Sequence, residues 1–408
     1  MHSSRKADWC AVSSVSAKRV PFGVAEWLVI AFVFFNALLC AALGAGVQVT
    51  NTYVAVVQAL LFSMFAVVIA IRGGLRAVDL VLILLLVLAV GYSLLVGKVS
   101  SPKAFFDVLV LPLALIFGLK IRINIWLVVR LVFIVNAMFA VLEWFFPSQF
   151  LDILPVGRYY FETRAWVADG APDFDVSGFY IGAERAGGGY FTGGHRLASL
   201  MLDPLTLGYL MVLVAASACI FSRSKKEFCF YYFGAIALTV LSDSRVALLL
   251  LLLTPLLGRG IIPRLHLILT MAALWISSLV IWFFYGSLLG EFNYRISLTV
   301  SALRDNGLDG LLGFSEFAGK ANDSGYVYLL NIMGLPLAIV AVAYLDGYRK
   351  MACRAGVAGG VVALALYLAV TMFFGAASLS AKVAIIWGAF AGALAQQGRS
   401  TSKHQESW

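Results

Sequence analysis

The chain has 408 residues, of which 62% are apolar and only 12% are charged, with 30 Lys and Arg against 21 Asp and Glu. A soluble protein has about 45–50% apolar and about 25% charged residues, so this composition excludes a fully water-exposed surface and indicates an integral membrane protein. The net charge of +9 does not indicate a nucleic-acid partner, because the basic residues are scattered between long apolar runs instead of gathered on one solvated face.

Apolar runs suited to crossing a bilayer recur along the whole chain. A spanning helix needs about 20 mostly apolar residues, and the sequence predicts an all-α, polytopic membrane protein with about twelve transmembrane helices. The predicted spans are 25–46, 53–71, 79–97, 104–119, 124–146, 197–222, 228–242, 245–258, 266–285, 325–345, 355–375 and 380–396. We expect one integral membrane domain, 25–396, between an amino-terminal tail, 1–24, and a carboxyl-terminal tail, 397–408.

The basic residues predict the orientation of these spans. Loops that face the cytoplasm carry the excess of Lys and Arg, and this rule is met when both tails lie in the cytoplasm. The first tail lacks the short apolar core and the cleavage site of a secretory signal. The sequence thus predicts a multi-pass membrane protein with two long loops on the outer side, 147–196 and 286–324.

The cysteines predict neither a disulfide framework nor a zinc site. All five lie in a tail, in predicted spans or at their inner ends, so no outer loop holds a cysteine. No Cys and His spacing typical of zinc is present, and no glycine motif typical of nucleotide binding occurs. We therefore expect no metal and no cofactor.

The first long loop, 147–196, combines aromatic residues with arginines and carboxylates, among them Glu184, Arg185 and Tyr190. Aromatic faces beside such charges suit a ligand that has apolar faces, hydroxyl groups and an anionic group, as a glycosyl pyrophosphate does. The alternative is that the aromatic residues form a belt at the membrane surface, where Trp and Tyr are enriched.

The end of this loop is the densest polar feature of the chain. A glycine-rich run at 187–194 precedes His195 and Arg196, and Asp203 follows. Glycine allows close approach of a ligand, and the first turn of the span at 197–222 is expected to offer free N–H groups to an anion. The forked guanidinium of Arg196 matches a phosphate. The alternative is that Arg196 anchors the helix at the membrane surface.

A short hairpin at 242–245 contains the next candidate, Arg245. The helix from Arg245 to Arg259, which is expected at the inner surface, covers about 21 Å at about 1.5 Å per residue, less than the bilayer core of about 30 Å. Charges at membrane depth usually face the protein interior or a water-filled cavity, so we predict that Arg245 lines a cavity open to the outside. The alternative is a structural pair with Asp243.

Two further charges, Arg130 and Glu143, lie in the fifth predicted span. They raise the same question as Arg245, because a charge at membrane depth needs a partner or a polar cavity. The sequence allows two interpretations: the two side chains pair with each other, or they face the cavity.

The second long loop, 286–324, supplies the remaining candidates. Arg295 is a candidate second phosphate ligand, and Asp323 or Glu316 is a candidate general base. Tyr326 follows at the start of the tenth predicted span and is a candidate substrate-binding residue.

Three motifs occur in a familiar order. They are HRLASLMLDPLTLGYL (195–210), SDSRVALLLLL (242–252) and NDSGYVYLLNIMGLPLAIV (322–340). Over about 125–345 the chain resembles the O-antigen ligase and polysaccharide polymerase superfamily of integral membrane glycosyltransferases. The resemblance implies an enzyme that uses no nucleotide sugar or metal and that moves a glycan from undecaprenyl pyrophosphate to an acceptor at the outer face of the inner membrane.

The resemblance also implies roles for individual residues. Arg196 and Arg245 match family arginines that are expected to bind the pyrophosphate, and Arg295 is a candidate match for a further basic residue. These three residues and Asp323 form the expected catalytic set. His195, Glu184, Arg185, Tyr190, Asp203 and Tyr326 form the expected substrate-binding set.

The chain departs from the ligase pattern at one place. Ligases usually have a His where the second loop re-enters the membrane, whereas this chain has Asn322, Asp323 and Ser324 there. The departure favours a polymerase of the Wzy type, which joins repeat units that are both carried on undecaprenyl pyrophosphate. The general base is left open among Asp323, Glu184 and His195.

Two other functions stay as alternatives. A ligase would transfer the glycan to lipid A core, and a transporter or lipid flippase would share the many spans but usually has internal repeats and discontinuous helices. A polymerase implies a chain-length regulator and a flippase as protein partners.

Overall fold

The computed structural model describes residues 23–72, 74–95, 103–164, 178–179, 194–258, 325–353, 367–368, 370–371 and 380–405, with the single positions 273, 276, 280, 307, 309 and 312. The described chain is helical and contains no β-strand. In chain order the helices are α1 (Val24–Gly44), α2 (Asn51–Arg72), α3 (Ala77–Leu95), α4 (Lys103–Lys120), α5 (Ile125–Phe145), α6 (Pro147–Ile153), α7 (Val156–Thr163), α8 (Pro204–Phe221), α9 (Lys225–Leu241), α10 (Arg245–Gly258), α11 (Gly325–Cys353) and α12 (Ala381–Gln405).

Six helices are long and apolar enough to cross a membrane: α1, α2, α3, α5, α8 and the Gly325–Tyr344 part of α11. Helices α2 and α3 expose large apolar side chains such as Leu60 and Leu88, which lipid solvates better than water. The prediction of a helical, multi-pass membrane protein is thus confirmed at this level. The total of about twelve spans includes predicted spans outside the described residues and stays a prediction.

Contacts between helix starts define one end of the bundle. The backbone N–H of Asn124, before α5, donates to the carboxylate of Glu26 in α1 at 2.9 Å. The indole Nε1 of Trp126 in α5 donates to Glu227 in α9 at 3.2 Å. We call this the basic end, because its connections hold Arg72 and Arg76, Lys120 and Arg122, and Arg223, Lys225 and Lys226. The opposite end, where α5 and α9 end and α8 and α10 begin, is called the site end.

The α4 and α12 helices meet through small residues. A Cβ atom added to Gly118 would lie 2.5 Å from the carbonyl oxygen of Ala389, and one added to Gly388 would lie 2.5 Å from Ala114 Cβ. Small side chains let helix backbones approach closely, as they do in other membrane proteins. Helix α12 also packs against α1, α8 and α11, so it ties separate parts of the bundle together.

Helix α11 is interrupted at Gly334, whose φ of 67° and ψ of 168° are not helical. Pro336 has no N–H to give to the carbonyl of Ile332, four residues earlier. The hydroxyl of Ser93 in α3 donates to that carbonyl instead, at 2.6 Å. The tenth predicted span is therefore helical but broken, and a neighbouring helix supplies the missing donor.

The start of the first long loop differs from the sequence prediction, since it forms α6 and α7. Pro147 takes the first position of α6, where its missing N–H costs nothing. In α7, Tyr159 is buried and its hydroxyl donates to Asn36 Oδ1 in α1 at 2.7 Å. Burial raises the pKa of Tyr159 above its ordinary value, which keeps the phenol a donor.

The sixth predicted span also differs, because its helix begins at Pro204 and not near 197. Residues 194–203 are not helical, except for a 3-10 turn at Ser199–Met201, and residues 196–202 within this stretch are buried. Asp203 caps the helix: its carboxylate accepts the N–H groups of Leu205 at 3.4 Å and Thr206 at 3.1 Å. A capping aspartate followed by proline is a strong start signal, so apolar composition alone placed the start too early.

Candidate functional site

Residues 194–203, which we call the site segment, pass between α5 and the turn that joins α9 to α10. That turn, residues 242–245, is called the site hairpin. The backbone N–H of Leu197 donates to Leu241 O at 3.0 Å, and the Nε of Arg196 donates to Ser242 O at 3.1 Å. The segment is therefore fixed to the hairpin through both backbone and side chain.

On its other side, the site segment is held by Glu143, in the last turn of α5. The Glu143 carboxylate accepts the backbone N–H groups of Ala198 at 3.1 Å and Ser199 at 2.5 Å. The Ser199 hydroxyl donates to the carbonyl of Asn136 at 2.7 Å. Glu143 is only 1% exposed, so these donors replace the water that a buried carboxylate has lost.

The two arginines that are expected to bind pyrophosphate both lie at the site hairpin. Arg196 is buried, and its guanidinium bonds to the carbonyl of Ser242. Arg245 is the first residue of α10; its side chain is 41% exposed, and its Nε lies 4.0 Å from Asp243 Oδ1. The turn thus brings one buried and one accessible guanidinium together, although Arg196 and Arg245 are 49 residues apart in the chain.

Helix α10 has 14 described residues, Arg245–Gly258, which span about 21 Å at about 1.5 Å per residue, against a bilayer core of about 30 Å. The depth of Arg245 in the membrane stays a prediction. The contact of Arg245 with Asp243 corresponds to the alternative of a structural pair, and at 4.0 Å it is at the outer limit for an ion pair.

His195 lies on the α5 side of the site segment. Its Nε2 is 3.1 Å from Glu143 Oε1, and its side chain is 28% exposed. The ring packs against Phe179 of the first loop, with 4.4 Å between ring centroids. Because successive side chains of an extended chain point to opposite sides, His195 faces α5 whereas Arg196 faces the hairpin.

The helix terminus that was expected to take an anion is occupied by the chain itself. Asp203 caps the start of α8, and the Thr206 hydroxyl also donates to its carboxylate, at 2.5 Å. The N–H groups at the start of the 3-10 turn are taken by Glu143. This arrangement differs from the expectation of free N–H groups for a phosphate, and it gives Asp203 a local structural role.

Tyr326 is buried in the first turn of α11. Two residues further on, the Tyr328 hydroxyl donates to Asp107 of α4 at 2.9 Å. Helix α11 packs against α3, α4 and α12, and the Tyr328 bond is one of its contacts with α4. The other predicted site residues, Glu184, Arg185, Tyr190, Arg295 and Asp323, lie outside the described residues.

The site contains strained backbone. Among the described residues, the non-glycine residues with positive φ are Ser199 at 50°, Leu202 at 60° and Asp243 at 45°. The left-handed conformation costs an ordinary residue about 1–2 kcal/mol. Two of these residues lie in the site segment and the third in the site hairpin. Strain of this kind persists where the surroundings fix it, and it is concentrated at functional sites.

Glu143 is the main site residue that sequence reasoning missed. The sequence marked it as a charge within a span and allowed a pair with Arg130. The structure instead pairs Arg130 with Glu227 at 3.3 Å, at the basic end, and Glu143 with His195. Glu143 and His195 are separated by 52 positions, and the only sequence signal was an acid near the outer end of a span that faces a loop with one histidine.

Together these residues place one buried and one accessible arginine at the site hairpin, and an imidazole backed by a carboxylate on the α5 side of the site segment. Among the described residues, no three His, Cys, Asp or Glu side chains are grouped so that they could hold a metal ion. Comparison of the chain with protein-family models finds no match. Comparisons with curated proteins and with solved structures find no significant match either.

Proposed function

We propose that this protein is a polymerase that joins undecaprenyl-pyrophosphate-linked oligosaccharide repeat units into O-antigen or exopolysaccharide at the periplasmic face of the inner membrane. The observation that carries the proposal is that Arg196 donates a hydrogen bond to the turn in which Arg245 lies, although the two arginines come from separate parts of the chain. Guanidinium groups match a pyrophosphate in both charge and geometry. The resemblance of the three motifs to the polymerase and ligase superfamily gives the class of reaction.

In the proposed reaction, the growing chain on one carrier lipid is transferred to a new repeat unit on another. An acceptor hydroxyl of the new unit gives its proton to a base as its oxygen attacks the anomeric carbon of the growing chain and forms the glycosidic bond. The bond from that carbon to the pyrophosphate oxygen breaks, and the electron pair stays on the pyrophosphate. Arg196 and Arg245 stabilise the leaving group. Hydrogen-bond donors that are already in position where negative charge develops in the transition state often contribute a large part of the rate enhancement.

The experiment that tests the proposal is an analysis of carrier-linked glycans in cells that lack the protein. Loss of a polymerase leaves single repeat units on undecaprenyl pyrophosphate, and re-expression of the full chain restores long polymer. Loss of a ligase instead leaves long polymer on the carrier and none on lipid A core. Polymer of normal length and amount in the deletion strain would overturn the proposal.

A transporter of polysaccharide or lipid is the second candidate, favoured by the interruption of α11 at Gly334. Discontinuous helices are common at the substrate sites of transporters. The freed carbonyl of Ile332 is, however, satisfied by Ser93, so this break is accounted for by packing. Purified protein in liposomes with carrier-linked repeat units distinguishes the two: a polymerase lengthens the glycan, whereas a transporter moves the lipid and leaves its length unchanged.

A further inference from the structure

His195 and Glu143 form a pair that the pyrophosphate-binding role of the arginines does not use. We propose that His195 is the general base that takes the proton of the acceptor hydroxyl, and that Glu143 is the positioning residue that fixes the tautomer and the orientation of its ring. The inference rests on the proposed function and deepens it, because the sequence left the base open among three residues.

The first step concerns the tautomer. The Glu143 carboxylate receives two backbone N–H donors, from Ala198 and Ser199, and lies 3.1 Å from His195 Nε2. We assign the hydrogen to Nε2, because a carboxylate that receives two backbone N–H donors acts there as an acceptor. In the neutral ring, Nδ1 then has the free lone pair that a base needs.

The second step concerns access. The His195 side chain is 28% exposed, whereas that of Glu143 is completely buried. No described residue forms a hydrogen bond with Nδ1, and Phe179 packs against the ring. The accessible part of this pair is therefore the imidazole, held in place by a carboxylate on one side and an aromatic ring on another.

The third step concerns the reaction. The acceptor hydroxyl gives its proton to Nδ1 as its oxygen forms the new bond to the anomeric carbon, while the pyrophosphate leaves with the electron pair of the broken bond. The imidazolium that forms is stabilised by the Glu143 carboxylate, and the proton then passes to water. Because His195 and Arg196 point to opposite sides of the site segment, the base and the leaving-group arginines address different parts of the bound substrates.

The competing interpretation is that the pair only anchors the site segment to α5, and two conservative variants separate the two roles. In His195→Gln, the amide N–H of glutamine keeps the donor to Glu143 but cannot accept the proton. In Glu143→Gln, the amide oxygen still accepts from Ala198 and Ser199, but the amide N–H₂ faces Nε2 and favours the tautomer with hydrogen on Nδ1.

The assay uses the purified full chain in liposomes, with the undecaprenyl-pyrophosphate-linked repeat extracted from the deletion strain as substrate. We expect His195→Gln and Glu143→Gln each to lower kcat by about 10²-fold or more, with KM changed less than about threefold, because general-base catalysis typically contributes about 10²–10⁴-fold. Added imidazole is expected to restore part of the activity of His195→Ala, which an anchoring role does not explain.

A spectroscopic measurement tests the pair without activity. The chain has four His, so ¹⁵N-histidine labelling gives few signals, and the signal that His195→Gln removes is that of His195. We expect hydrogen on Nε2 in the wild type and on Nδ1 in Glu143→Gln. Hydrogen on Nδ1 in the wild type would overturn the inference.

The outcomes also separate this inference from the proposed function. If His195→Gln retains kcat within about threefold while Arg245→Ala loses activity, His195 is not the base and the polymerase proposal stands. If the wild type makes no polymer from the repeat unit and the deletion strain does not accumulate it, the proposed function fails, and the base assignment fails with it.

Discussion

The two ends of the bundle use buried carboxylates in different ways. At the basic end, Glu26 joins the starts of α1 and α5 by accepting N–H groups from Gly23 and Asn124, each at 2.9 Å. At the site end, Glu143 likewise accepts two backbone N–H groups, but its carboxylate also contacts His195, whose side chain is partly exposed. Glu26 thus bonds to backbone groups of two helix starts, whereas the contacts of Glu143 include a titratable side chain that is partly accessible, that of His195.

The backbone conformation also differs between the two ends. Among the described residues of the basic end, no non-glycine residue has positive φ, and yet the connections between helices are short. The site end has three such residues, two in the site segment and one in the site hairpin. Short connections between helices therefore form without positive φ at non-glycine residues. At the site end, this backbone strain accompanies the placement of Arg196, His195 and the site hairpin.

The largest expected effect is on activity, from the removal of one accessible arginine at each end. Arg245 and Arg130 are matched, because each side chain is 41% exposed and each lies beside a carboxylate. We expect Arg245→Ala to lower the rate of polymer formation by about 10²–10³-fold, as the loss of a transition-state donor does. Arg130→Ala is expected to retain the rate within about twofold. Gel analysis of polymer length and amount checks both, and equal losses would erase the distinction between the ends.

The second expected effect is on stability and is shared by the ends. Glu143→Ala and Glu26→Ala each leave two buried or partly buried N–H groups without their acceptor, at a cost of about 1–3 kcal/mol per group. We expect both variants to lower the free energy of unfolding by about 2–6 kcal/mol in a detergent titration. The matched variants Glu26→Gln and Glu143→Gln retain an acceptor oxygen and are expected to recover most of the lost free energy of unfolding. Of the two, only Glu143→Gln is expected to stay inactive in polymer formation.

The third prediction concerns glycines at close helix contacts. A Cβ atom on Gly208 in α8 would collide with the side chain of Ser244 in the site hairpin, and one on Gly118 would lie 2.5 Å from Ala389 O. Overpacking costs about 1–3 kcal/mol, so we expect both Ala variants to be destabilised by that amount. Gly208→Ala should also lose activity per folded molecule, because the hairpin must move. Gly118→Ala should keep it, and a reversed result would contradict the assignment of the site to the hairpin.

The smallest expected effect comes from the break in α11. Ser93→Ala removes the donor to Ile332 O and is expected to cost about 1 kcal/mol in thermal unfolding, the typical net value of one hydrogen bond. Ser63→Ala is the control, since the Ser63 hydroxyl donates to Ala59 O within its own helix, at an exposed position, and should change stability little. A large loss of polymer formation in Ser93→Ala at unchanged stability would mean that the break in α11 takes part in function, which would favour the transporter.

Much of the helical architecture could be predicted from apolar runs, because composition reports directly on the surrounding solvent. The helices α1, α2, α3 and α5 agree with the predicted spans to within a few residues. The start of α8 could not be placed by hydropathy, since Leu197, Leu200 and Met201 are apolar but belong to a buried, mostly non-helical segment.

The site could be predicted only in part. Arg196 and Arg245 were expected near each other, because both were assigned to the outer side. The partners of buried polar groups were not predictable, since hydrophobic patterns show which residues are buried but not which distant atom satisfies them. The pair of Glu143 with His195 spans 52 positions, and that of Ser93 with Ile332 spans 239.

Helix α12 has a consequence for the order of assembly. The Nζ of Lys382, in its first turn, donates to Met201 O in the site segment at 2.5 Å, across 181 positions of sequence. Because the ribosome delivers the chain from its amino terminus, the site segment is inserted long before this donor exists. The backbone around Leu202 therefore gains this hydrogen bond only after α12 has been synthesised, so the site segment reaches its final set of contacts late in assembly.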